Sequence, residues 1–143
     1  SSDLYQIDGE DKVFKITKEQ DEYEVANRIV DRYNEFTTFI PVYYVDGNNM
    51  YIMANASDLP VQIKKSIDLF MQDFADYARE KGGEVSIFDF IQETDSIDPV
   101  IDNFLNALKI DIDKLNIPEL DLDLDFKSDN IMIWNGNMVM VDW

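Results

Sequence analysis

The chain has 143 residues, with 12 Lys or Arg against 30 Asp or Glu, a formal charge of −18. It holds no cysteine and no histidine, which excludes disulfide frameworks, thiolate metal sites, Ser-His-Asp catalysis and most zinc enzymes. Hydrophobic residues at 45% and aromatics at 13% supply the core material that acidic disordered chains lack.

At this length one domain is expected, residues 1–143, burying roughly 70% of its unfolded surface. No apolar run approaches the roughly 20 residues of a membrane span, and no signal peptide opens the chain. A soluble cytoplasmic protein is therefore expected. The negative charge repels nucleic acid and anionic membranes, so neither is expected as a direct partner. Its acids either keep the surface solvated or form a face that mimics DNA or docks on a basic protein.

In chain order, Leu4–Ile7, the turn Asp8-Gly9-Glu10-Asp11 and Val13–Ile16 predict a hairpin. Residues 19–34 predict a helix with an apolar stripe of Val25, Ala26, Ile29, Val30 and Tyr33. Pro41–Val45 and Met50–Ala54 predict a second hairpin, with the Asp46-Gly47 pair supplying the positive φ of its turn. A long helix follows, opened by Ser57-Asp58-Leu59-Pro60 and closed by Gly82-Gly83. Its stripe of Ile63, Ile67, Phe70, Met71, Phe74, Tyr77 and Ala78 belongs to the core. Residues 97–109 predict another helix, with Ile101, Phe104, Leu105 and Leu108 inward. Ile131–Trp134, Asn135-Gly136-Asn137 and Met138–Val141 predict a last hairpin. Strands, helix, strands, then helices and a late hairpin make an α+β fold. Residues 1–55 form its sheet-rich part with one helix, and residues 56–143 its helical part.

Chemistry in such a chain rests on carboxylates, lysines, hydroxyls and a hard cation. Asp125, Lys127 and Asn130 precede the last hairpin, which ends at Asp142-Trp143. A loop followed by a tight hairpin brings Asn130 and Asp142 back to one point. The D-x-x-x-x-N spacing also occurs at Asp98…Asn103 and Asp111…Asn116, but only the third copy carries a Lys two places after the Asp and a hairpin ending in Asp. A calcium loop through Asp121, Asp123 and Asp125 is excluded, because Phe126 stands where Gly is needed and Met132 where the bidentate Glu belongs.

The start of the chain offers a second cluster. In Val13-Phe14-Lys15-Ile16, strand alternation puts Val13 and Lys15 on one face. At 100° per residue, Glu22 falls within the apolar stripe of the first helix and Glu24 points nearly opposite. Of the two, Glu22 is the one placed to face the core side on which Lys15 lies. The alternatives are an edge-strand lysine in solvent and a first-turn helix acid.

The segment D-x-K-x-x-N, hairpin, Asp resembles the catalytic loop and metal-binding Asp of protein kinases, and Val13–Ile16 is similar to their V-A-I-K strand. Nearly the whole chain takes part. The likeness extends to the early-gene serine/threonine kinases of short-tailed coliphages through Ser1-Ser2…Tyr5, Lys15, Ile40-Pro41, Tyr44-Val45, Ser128–Met132 and Asn135-Gly136. Aminoglycoside phosphotransferase-like kinases share the outline. The resemblance implies a minimal protein-kinase-like fold of two lobes, and an ATP- and Mg2+-dependent phosphotransferase whose acceptors are hydroxyls on host proteins, in the host cytoplasm. It implies Asp125 as the acceptor base, Lys127 on the transferred phosphate, and Asn130 and Asp142 as metal ligands. Lys15, held by Glu22, would take the α/β-phosphates, Val13 and Met132 the adenine, and Met53, Ala54 and Asn55 the hinge. The chain departs from the pattern in lacking G-x-G-x-x-G and in having Asp123-Leu124 before the catalytic Asp. The missing glycines favour a second expectation, a kinase-like acidic protein that binds and inhibits a host factor; the charge alone supports a third, a DNA-mimicking antirestriction protein.

Overall fold

A computed structural model describes residues 2–7, 9–95, 98–116 and 126–143. The segment carrying Asp121, Asp123 and Asp125 lies outside the described residues. Among the described residues the fold is mixed α+β, with a four-stranded antiparallel sheet, a separate two-stranded hairpin and four α-helices.

Strands β1 (Ser2–Gln6) and β2 (Lys12–Thr17) form the first hairpin, and β3 (Val42–Asp46) and β4 (Met50–Ala54) the second. They assemble in the order β1-β2-β4-β3, so β2 is an interior strand. Its burial alternates: Val13, Lys15 and Thr17 face the core, while Ile16 is exposed. The β3–β4 turn differs from expectation. Asn49, not Gly47, takes the left-handed conformation, with φ 60°. Asp46 accepts a hydrogen bond from the Asn48 amide there, which lets the asparagine end the turn.

Helix α1 (Gln20–Ile29) packs on the inner face of the sheet through Val25, Ala26 and Ile29. It is shorter than the predicted 19–34, because the chain leaves the helix after Val30 and makes a separate 3-10 turn at Tyr33–Glu35. Helix α2 (Val61–Glu80) starts after Pro60 and ends at Gly82 and Gly83, both at positive φ. Of its predicted stripe only Ile67 and Phe70 are fully buried; Ile63, Met71, Phe74 and Tyr77 are half-buried at the margin. A short helix α3 (Ile87–Glu93) was not foreseen. Its seven residues are too few for a 3.6-residue period to stand out. The Ser86 hydroxyl caps it by accepting the Phe88 amide.

Helix α4 (Pro99–Leu115) runs beyond the predicted 109 to Leu115, burying Ile101, Phe104, Leu105, Leu108, Ile112 and Leu115. Asn116, at φ 55°, ends it. Asp111 and Asp113 masked this extension by breaking the apolar pattern, yet Asp111 is itself buried. Phe90 and Phe126 seal the helical layer, Phe90 against Phe70, Phe74 and Tyr77, and Phe126 against Phe70 and Phe104.

Strands β5 (Ile131–Trp134) and β6 (Asn137–Met140) form the last hairpin across Asn135 and Gly136, both at positive φ. The hairpin is held on both sides. Ser57 and Ile133 exchange two backbone hydrogen bonds of 2.7 Å, while Met140 donates to Thr38 and accepts from Ile40. No helix among the described residues is long and apolar enough to cross a membrane.

The Asp98 carboxylate caps α4, accepting from the Val100 and Ile101 amides, with Pro99 opening the first turn. Asp98→Ala leaves those donors unsatisfied and is expected to lower stability by about 1 kcal/mol. Urea titration would check this; an unchanged midpoint would show that the cap contributes nothing.

Candidate functional site: a buried lysine and its two carboxylates

Lys15 is placed by strand alternation on the inner face of β2, where it is 5% exposed. An ammonium in such a place must be charge-paired and hydrogen-bonded. Its Nζ lies 2.6 Å from Glu22 Oε1 and 3.6 Å from Asp142 Oδ1, and donates to the Val141 carbonyl at 3.5 Å. Helix α1 and the chain after β6 thus converge on one cation, the latter from 126 residues away at Val141. The edge-strand alternative for Lys15 is overturned, because β1 and β4 flank its strand. Glu22 faces inward and Glu24 is exposed, as the helical phase requires.

The two carboxylates differ. The Glu22 side chain is 2% exposed, and both its oxygens are engaged: Tyr51 donates to Oε1 and Thr17 to Oε2, each at 2.8 Å. Burial opposes ionisation of Glu22. The Lys15 hydrogen bond and charge, with the Thr17 and Tyr51 hydrogen bonds, outweigh it and hold the pKa below the ordinary glutamate value. Burial and the neighbouring Glu22 charge push the Tyr51 phenol far upward, so it remains a donor. The Asp142 side chain, by contrast, is 43% exposed and stands farther from Lys15. Glu22 is the anchor of the lysine; Asp142 is the carboxylate that a ligand can reach.

The last residue completes the cluster. The Trp143 indole donates to the Glu22 main-chain carbonyl at 3.0 Å and stacks on Tyr51 at 6.2 Å between ring centroids. Its edge-to-face partner is Phe39, at 5.8 Å. Asp142 is therefore fixed from one side by Val141, whose amide donates to the Asn130 carbonyl, and from the other by a tryptophan hooked onto α1.

Asn130 is buried at the end of a 3-10 turn, Ser128–Asn130, which Ser128 ties to Asp68 of α2. Its backbone link to Val141 brings the segment before β5 beside the one after β6. Lys127 is exposed at the head of that turn. Val13 and Met53 are register partners on the inner face of the sheet, both buried. Ala54 is buried and Asn55 half-buried where β4 leaves the sheet, and the Asn55 amide donates to the Asp11 carbonyl. Met132 is half-buried on β5, paired with Val139. Asp125 lies outside the described residues.

The sequence reading missed Tyr51, Thr17 and Trp143. Thr17 was accessible, since alternation puts it on the face of Lys15. Tyr51 was not: it is the cross-strand partner of Lys15 only because β2 pairs with β4 in that register. Trp143 carries no local signal for a bond to a carbonyl 121 residues away.

Among the described residues, no group of three or more His, Cys, Asp or Glu gathers as a metal cage. Beside Lys15 stands one half-exposed carboxylate, Asp142, and the backbone of Asn130 is tied to the residue before it, so the two offer a hard-oxygen donor set. Mg2+ commonly uses one or two carboxylates and completes its shell with water and phosphate oxygens. The donor chemistry of Asp142 and Asn130 fits that requirement.

No protein-family model matches the chain, and neither a curated protein nor a solved structure does.

The depressed pKa of Glu22 has a definite sign in stability. Its ionised form contributes fully above the unfolded value near 4.5 and loses that contribution as pH falls through the lower folded value. Glu22→Gln is expected to cost roughly 3–5 kcal/mol at pH 7, because it strands a buried lysine. In urea titrations the gap between wild type and variant should narrow below about pH 4.5. A gap constant down to the acid transition would contradict this account of Glu22.

Proposed function

We propose that the chain is an ATP- and Mg2+-dependent phosphotransferase with a minimal protein-kinase-like, two-lobed fold, acting on hydroxyls of host proteins as a phage-type serine/threonine kinase. The observation that supports this reading most is the convergence of Lys15, Glu22 and Asp142. Phosphoryl transfer needs little covalent chemistry from the protein, and rests on positioning and on charge stabilisation at the phosphates. A lysine fixed by a buried glutamate supplies an oriented cation. A half-exposed aspartate beside it supplies the hard oxygen that a metal–phosphate complex needs.

The two carboxylates also separate naturally into roles. Replacing a sealed Lys–Glu pair by apolar residues is often neutral or stabilising, so such a pair is weak evidence for a purely structural purpose. Here Glu22 holds the lysine, and Lys15 in turn presents its charge towards Asp142. When bound, Mg2+ supplies charge neutralisation at the β- and γ-phosphate oxygens. Asn130 and Asp142 are the residues that would hold it.

The remaining roles follow the resemblance in sequence. Val13 and Met132 would enclose the adenine, with Met53, Ala54 and Asn55 as hinge. Asp125 would accept the proton of the substrate hydroxyl, and Lys127 would contact the transferred phosphate. Val13 and Met53, register partners, give the inner sheet face near Lys15 an apolar character, which suits a purine ring. The charge of −18 disfavours nucleic acid as a substrate and favours protein acceptors with basic surroundings.

Calorimetric titration with ATP, with and without Mg2+, tests the reading directly. Wild type should bind more tightly with the metal, and Asp142→Ala should lose the metal-dependent part. Absence of binding at millimolar ATP would overturn the proposal. Asp125→Asn should abolish transfer of labelled γ-phosphate to proteins of a host extract while ATP affinity stays within about twofold, since a proton acceptor acts in the transition state. Equal labelling by wild type and variant would remove Asp125 from the catalytic role.

A further inference from the structure

Asp111 is a buried carboxylate, 1% exposed, on a helix that carries none of the site residues described above. Its Oδ2 accepts three hydrogen bonds: from the Thr37 amide at 3.0 Å, the Thr38 amide at 2.8 Å and the Thr38 hydroxyl at 2.6 Å. Lys114 Nζ is 4.0 Å from its other oxygen. Burying a carboxylate is costly unless it is fully satisfied, and here the 37–38 segment supplies three of the bonds that satisfy it.

The segment that Asp111 grips is the one on which the last hairpin hangs. The Thr38 carbonyl accepts the Met140 amide at 2.7 Å, and the Ile40 amide donates to the Met140 carbonyl at 3.0 Å. Phe39, between them, bridges to Met140 and packs edge-to-face on Trp143. Met140 is followed by Val141, whose carbonyl accepts from Lys15, and then by Asp142. Two routes, one through backbone hydrogen bonds and one through aromatic packing, therefore lead from Asp111 to either side of Asp142.

We propose that Asp111 is a positioning residue: by fixing Thr37 and Thr38 it sets the placement of β6 and Trp143, and through them the distance of Asp142 from Lys15. This role rests on the functional reading above only for its catalytic meaning; the geometric coupling stands independently. Loss of the Asp111 grip lets the 37–40 segment and β6 shift together, which moves Asp142 while leaving the Lys15–Glu22 pair on its own elements.

The test compares Asp111→Asn, which keeps the shape but not the charge, with Thr38→Val, Thr38→Ser and Asp98→Ala. The last loosens the opposite end of the same helix and serves as the stability control. All are made with Trp134→Phe, so that fluorescence reports Trp143 alone. With Mg2+, Asp111→Asn and Thr38→Val are expected to lose about tenfold in ATP affinity, while metal-free affinity is retained; an order of magnitude is what a small misplacement of a ligating group costs. Thr38→Ser should restore wild-type behaviour, and Asp98→Ala should not alter the metal dependence. Acrylamide quenching of Trp143 should rise in Asp111→Asn and Thr38→Val, and stay at the wild-type level in Asp98→Ala.

Equal losses with and without metal, or Trp143 quenching that simply follows overall stability across all variants, would reduce Asp111 to a brace and overturn the proposal. If the wild type binds no nucleotide at all, the phosphotransferase reading fails, and the quenching series alone decides the coupling. Unchanged Trp143 quenching in Asp111→Asn overturns it in either case.

Discussion

A lysine ammonium sealed inside the protein is the constraint from which the rest of the arrangement follows. Desolvating a cation is costly, and the cost is recovered only where opposite charge and hydrogen-bond acceptors are supplied at close range. Lys15 finds these on a helix and on the chain after the last strand, so neither α1 nor the last hairpin can dock elsewhere without stranding it. Glu22 is constrained in turn. Its two oxygens also serve Thr17 and Tyr51, so sheet and helix share one fully satisfied polar network inside an apolar layer.

The last hairpin is the second element of this logic. Taken alone, two short strands across an Asn-Gly turn are marginal in water. Here they are clasped by Ser57 on one edge and by Thr38 and Ile40 on the other, and the Trp143 indole hooks the chain beyond them to α1. The hairpin is thereby a connector. It brings Asn130 and Asp142 to neighbouring positions and presents the aspartate at the margin of the Lys15 network, where its side chain keeps access to solvent.

The excess of acid shapes how the scarce cations are used. Arg28, Arg32 and Lys114 gather at the C-terminal end of α4: Arg28 donates to the Leu115 carbonyl, Arg32 to the Lys114 carbonyl, and Lys114 to the Glu35 carbonyl. Cations favour a helix C-terminus, where carbonyls lack helical partners. These contacts lash α4 to α1 and to the 3-10 turn after it, just where Asp111 receives Thr37 and Thr38. Three of the twelve basic residues of this strongly acidic chain thus sit at the joint between its helical layer and the elements around Lys15.

Local chemistry made much of this legible. Alternation in Val13–Thr17 assigned Lys15 to the inner face, and a 100° period chose Glu22 over Glu24; both depend only on the geometry of a strand and a helix. Gly82-Gly83 and Asn135-Gly136 marked real stops and turns, because left-handed backbone favours those residues. The sequence was silent wherever a residue's meaning depends on a distant partner. Asp111 fell beyond the predicted helix end at residue 109 and is buried within α4, because three donors of a loop 73 or 74 residues away converge on it. Tyr51 became a donor to Glu22 only through the β2–β4 register, and Trp143 only through the docking of the hairpin. What the sequence by itself determined was which faces are apolar and where the chain turns, since both are set within a few residues. That Tyr51 and Trp143 join Lys15 and Glu22, and that Asp111 is buried at all, was decided by tertiary structure alone, because only assembly brings distant partners together and excludes the water that would otherwise satisfy each of them separately.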